Sequence, residues 1–67
     1  MKRTHEQRVR TWAAQAGEDT LLAAMRIARE AIEECTDNGW EELDGCFLWE
    51  WRKSLTWMQQ ELQTRQA

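Results

Sequence analysis

The sequence predicts an all-α protein, a small three-helix bundle built on an antiparallel helical hairpin and closed as a homodimer. Three observations carry this expectation. Proline is absent from the 67 residues and β-branched residues are sparse, while Ala, Glu, Gln, Arg, Leu and Met dominate, a composition that favours helix along the whole chain. Two stretches repeat apolar residues at spacings of three and four: Leu21, Met25, Ala28, Ile32 and Cys35, then Leu48, Trp51, Leu55, Met58 and Leu62. Between them Asp37, Asn38 and Gly39 form the strongest turn signal in the chain, so the two apolar seams are expected to face each other across a short connection.

The first helix is expected over about residues 5–16 of a single domain spanning 1–67. Thr4 and Gln7 have the spacing of a capping box, and Gly17 is placed to close the helix. Its apolar stripe of Val9, Trp12, Ala13 and Ala16 is thin, so it must lean on another helix. A second helix is expected over about 20–36, capped by Asp19 or Thr20. Ala24, Ala28 and Ala31 form a strip of small residues along it, with Ile27 at the edge, where another helix backbone can approach closely. Arg26 precedes Glu30 by four residues and Arg29 precedes Glu33 by four, which suggests weak ion pairs on the outer face. The third helix is expected to end near residue 64. It begins at about 40 if Asn38 and Glu41 make a second capping box, or at about 46 if Asp44 caps it. Gly45 leaves that boundary open.

A chain this short buries only about 60% of the surface its unfolded form exposes. Disulfides, a metal or oligomerisation usually supplement so small a core. Two cysteines, Cys35 and Cys46, are too few for a secreted disulfide framework. His5 and these cysteines are the only soft metal ligands, and no CxxC or HxxxH spacing organises them. Neither a metal nor a cofactor is therefore expected, and self-association is left to supply the missing core. The polar residues His5 to Arg8 follow the Met-Lys-Arg start where a leader would be apolar, and no window approaches a membrane span. The expectation is a cytoplasmic protein without a membrane partner, its thiols reduced.

Nine basic and 12 acidic residues leave a net charge of -3, but their distribution is uneven. Lys2, Arg3, Arg8 and Arg10 against Glu6 make residues 1–16 basic, whereas Glu30, Glu33, Glu34, Asp37, Glu41, Glu42 and Asp44 stand together without a Lys or Arg among them. A row of carboxylates can imitate the phosphates of a nucleic acid and dock on a basic partner. Solubility is the other use of such a row, and Glu41 and Glu42 would sit well at a helix N-terminus. Glu33 and Glu34, near the end of a helix, are electrostatically misplaced there, which favours a docking role for Glu30, Glu33, Glu34, Asp37, Glu41 and Glu42.

Five tryptophans are many for 67 residues, and three fall in FLWEWRKSLTWM, residues 47–58. At about 100° per residue Trp51 lies in the seam, while Trp49 and Trp57 lie about 140° to either side of its centre. A two-helix seam does not account for them. Either the first helix covers them with Val9 and Trp12, or Trp49, Lys53, Trp57 and Gln60 form a binding face for a second copy of the chain or for a foreign protein, tryptophan being strongly enriched in binding hot spots.

No Gly-rich phosphate loop, calcium loop or apolar pocket of carboxylates marks an enzyme. The functional expectation is a non-enzymatic protein-interaction module, a regulator or inhibitor of a host protein. By composition alone it is the kind of small acidic helical product made by bacteriophages and mobile elements. The alternative is a DNA-binding transcriptional regulator that uses the basic arm KRTHEQRVR, with a helix-turn-helix drawn from the first two helices. The acidic body, which a duplex would repel, weighs against it.

Overall fold

A computed structural model describes residues 3–66; Lys2 of the basic arm lies outside them. Three helices, α1 (His5–Gln15), α2 (Glu18–Asn38) and α3 (Leu48–Gln66), account for most of the chain, with a two-residue-per-strand ribbon, β1 (Glu42–Leu43) and β2 (Cys46–Phe47), between α2 and α3.

Local chemistry sets the boundaries. Thr4 accepts the Gln7 backbone N–H at 3.2 Å while the Gln7 side chain accepts the Thr4 N–H at 3.0 Å, a reciprocal capping box that satisfies two end donors of α1. At the other end Ala16, not Gly17, is the C-cap. The Arg65 guanidinium donates to the carbonyls of Ala13 at 2.8 Å and Ala16 at 2.6 Å. A cation on the terminal carbonyls of a helix also meets the negative end of its dipole. Gly17 instead caps the N-terminus of α2 without a side-chain hydrogen bond, so this helix starts before the Asp19 or Thr20 expected to cap it, and Glu18 and Asp19 occupy its first turn. Carboxylates at that position meet the positive end of the dipole, which compensates for the missing cap. α2 runs on to Asn38, whose side chain donates back to the Glu34 carbonyl at 2.8 Å, and Gly39 closes it at φ +69°, a left-handed conformation that glycine adopts without steric cost.

The start of α3 corrects the sequence reading. Neither Asn38 nor Asp44 caps it. Asp44 and Gly45 carry φ of +52° and +79°, the positive pair of a two-residue hairpin turn. Glu42 pairs with Phe47 and Leu43 with Cys46 across it. The Glu50 carboxylate accepts the Phe47 N–H at 2.9 Å, half of a capping box at the true N-terminus of α3.

The core is the cluster of Ala13, Leu21, Met25, Ala28 and Met58, with Val9, Ala16, Ala24, Trp51, Leu55 and Leu62 packed on it. It unites the stripe of α1 with the two seams. Ala31 and Cys35 are buried further along α2. α3 packs against both other helices. The anticipated pairs Arg26–Glu30 and Arg29–Glu33 do not form; the ion pairs among the described residues are Arg10–Glu6 and Arg65–Glu61, and His5 Nδ1 lies 3.9 Å from the Glu50 carboxylate. The assembly is flat, 36 × 31 × 16 Å between Cα extremes. No helix of the described residues is long and apolar enough to cross a membrane.

Candidate functional site

The hairpin and the first turn of α3 hold an aromatic row. Phe47 immediately precedes α3 and Trp49 follows two residues later; their rings stack with centroids 6.5 Å apart and planes 10° from parallel. His5 meets the edge of Trp49 at 6.2 Å and of Trp57 at 5.4 Å, and the Arg10 guanidinium lies over Trp57 at 5.9 Å, within cation–π range. His5 is fixed from the other side by Ser54 Oγ, 3.2 Å from Nε2, and by Glu50, 3.9 Å from Nδ1. The Trp51 indole donates to the Leu43 carbonyl at 3.1 Å, which fastens the hairpin to α3. Turn, half capping box and indole bond together fix the plate formed by Phe47 and Trp49, and that plate faces solvent: Phe47 is 48% exposed and Trp49 57%.

The four residues singled out on α3 divide. Trp57 is half-buried beneath His5 and Arg10, and Gln60 accepts a hydrogen bond from Arg10 at 3.0 Å. Trp49 and Lys53 remain exposed. α1 thus reaches Trp57 and the edge of Trp49 through His5 and Arg10 rather than through Val9 and Trp12, which line a groove elsewhere. The acidic set Glu30, Glu33, Glu34, Asp37, Glu41 and Glu42 is exposed throughout, and none of it enters an ion pair within the described residues. Arg10 is engaged by Glu6 at 2.7 Å, Gln60 and Trp57, so half of the helical part of the basic arm is committed internally.

Sequence reasoning missed a second apolar surface. Arg8, Val9 and Trp12 of α1, Ala24 and Ile27 of α2, and Trp51, Ser54 and Met58 of α3 line an open groove of about 300 Å³. Trp12 is 43% and Ile27 57% exposed along it. Ile27 at the edge of the alanine strip was the signal for it, but the splay of α1 from α2 was not legible in either helix alone.

The soft-ligand candidates are dispersed: His5 is in the aromatic row, Cys35 is buried and Cys46 is half-buried in the hairpin. Burial, then the carboxylates of Glu50, Asp44 and Glu42, pushes the Cys46 thiol above its ordinary range. The thiolate is the reactive species, so a raised pKa means less of it at any given pH. Iodoacetamide at pH 8 is therefore expected to alkylate Cys46 more slowly than a cysteine tripeptide, and Glu50→Gln is expected to raise that rate. A wild-type rate at or above the tripeptide's would contradict this.

Comparison of the chain with protein-family models, curated proteins and solved structures finds no match.

Proposed function

We propose that this chain is a non-enzymatic interaction module, a bundle on the antiparallel α2–α3 hairpin that self-associates as a dimer and regulates or inhibits a basic partner protein. The observation that carries the reading is the exposed Phe47–Trp49 plate beside unpaired carboxylates. Two stacked aromatic rings held rigid in solvent lose little conformational freedom on binding, which is what makes a hot spot effective. Next to them stand Glu41 and Glu42 of the ribbon region, and with Glu30, Glu33, Glu34 and Asp37 exposed along α2 they supply the negative field that steers a cationic surface and suppresses anionic ones. The same field opposes nucleic acid, and the internal engagement of Arg10 removes a phosphate contact from the alternative.

Capture from host lysate with three folded baits tests this: wild type, Trp49→Asp, and a Glu41→Lys/Glu42→Lys double variant, whose acids belong to the ribbon that carries Phe47. A basic protein retained by wild type, eluted by salt, and lost or weakened at least about tenfold with both variants is the expected result. Retention of the same protein by all three baits would overturn it. So would salt-dependent binding of wild type to duplex DNA without a protein partner.

A further inference from the structure

We infer that the groove between α1 and α2 is the face through which two copies of this chain associate, related by a two-fold axis that runs along the groove. The inference rests on the dimeric part of the reading above and assigns its interface.

The surface of the chain is larger than its mass requires. A compact monomer of this mass exposes about 4,450 Å², whereas this chain exposes 5042 Å². Its Cα radius of gyration is 12.3 Å against about 10.9 Å for a compact domain of this length. The difference of some 600 Å² approaches the roughly 800 Å² per partner that a stable pairing of standard size covers. In a molecule 16 Å deep, α1 and α2 flank α3 and leave its Trp51, Ser54 and Met58 as the floor of an open groove.

Charge chooses the occupant and its orientation. Among the described residues, the charged side chain lining the groove is Arg8, on the α1 side. On the α2 side Glu30 and Glu34 lie three and seven residues beyond Ile27, along its edge of the helix. The groove therefore has a cationic α1 rim and, at Glu30 and Glu34, an anionic stretch of α2 one turn beyond Arg26, and a surface with opposite charges on its two rims is complementary to itself. A two-fold along the groove lays the α1 rim of one copy over the α2 rim of the other, bringing Arg8 toward Glu30 of the partner subunit. A two-fold across the groove would set the two Arg8 side chains together. Trp12 and Ile27 then interleave over the floor.

The Trp49 face is left free by this arrangement. On α3, Trp49, Lys53 and Gln60 lie about 150° around the axis from Trp51, Ser54 and Met58, so a dimer closed through the groove presents two aromatic plates outward.

Sedimentation equilibrium from 1 to 200 μM, with circular dichroism as a check on folding, tests the inference on wild type, Ile27→Asp, Trp49→Asp, Arg8→Glu, Glu30→Arg and the Arg8→Glu/Glu30→Arg pair. The expected results are twice the 8.0 kDa chain mass for wild type and Trp49→Asp, and a folded monomer for Ile27→Asp. Each single charge reversal should weaken association at least tenfold, and the double reversal should restore it. A wild-type monomer throughout the range would overturn dimerisation itself. A dimer that survives Ile27→Asp but is lost with Trp49→Asp would leave dimerisation standing and overturn the groove. Should Ile27→Asp fail to fold, the charge-reversal series decides, and lack of rescue by the pair overturns the proposed axis.

Discussion

Leu21→Ala is expected to lower the free energy of unfolding by about 2–5 kcal/mol, the cost of removing a fully buried leucine from a packed site. Leu21 is 0% exposed and sits among Ala13, Met25, Ala28 and Met58. These come from all three helices, so the cavity opens where they meet and no single helix can shift to fill it. A chain of this length has roughly 3–10 kcal/mol of stability in total, and the variant is expected to lose a large share of it. Urea unfolding at one fixed protein concentration measures the effect, since association would otherwise shift the midpoint. The midpoint should fall with little change in slope. Leu22→Ala is the control, because its side chain is half-exposed on the next position. Equal shifts for the two variants would contradict the assigned face of α2. Leu55→Ala should fall between them, Leu55 being only partly buried.

Which parts of this architecture could be read from the chain follows from the range of the interactions involved. The capping box at Thr4 and Gln7 and the stop at Gly39 depend on residues a few positions apart, and each leaves a local signature. The two seams were legible for the same reason: a helical period marks its inner face wherever the helix packs. The ribbon was hidden by competition. Glu42-Leu43-Asp44-Gly45-Cys46-Phe47 carries an Asp-Gly hairpin signal, yet Asp44 is also a good helix cap and the flanking strands are only two residues long. The indole bond from Trp51 to the Leu43 carbonyl, eight residues away, is one contact that favours the hairpin, and no local rule contains it. The start of α2 shows the converse. Tertiary packing of Leu21 against Ala13 holds the first turn of α2 near the end of α1, and Gly17 caps it although Asp19 and Thr20 are intrinsically better caps. On α3 the spacing separated Trp49 and Trp57 from the seam, but only the course of α1 decides that Trp57 lies beneath His5 and Arg10 while Trp49 stays in solvent.

Trp51→Ala is expected to cost about 3–5 kcal/mol and to leave too little stability for a folded chain at 37 °C. The ring packs on the core cluster, lines the groove and anchors the hairpin through its indole N–H, so its removal opens a cavity and frees the Leu43 carbonyl together. Trp51→Phe separates the two contributions. The phenyl ring retains most of the packing and loses the hydrogen bond, worth about 1 kcal/mol; it should fold, with faster amide exchange through the hairpin and α2–α3 connection than elsewhere. Trp49→Asp should behave in the opposite way, keeping helical content and melting temperature near those of wild type, because its ring is 57% exposed and buries little. Circular dichroism melts of the three variants at matched concentration, followed by amide exchange on Trp51→Phe and wild type, distinguish these roles. If Trp49→Asp melted as early as Trp51→Ala, the Phe47–Trp49 plate would be a structural part of the fold, and its use as a binding surface would fail with that result. If Trp51→Phe exchanged no faster in the hairpin, the ribbon would be held by its own Asp44-Gly45 turn and the Glu50 cap, with the indole contributing only its bulk.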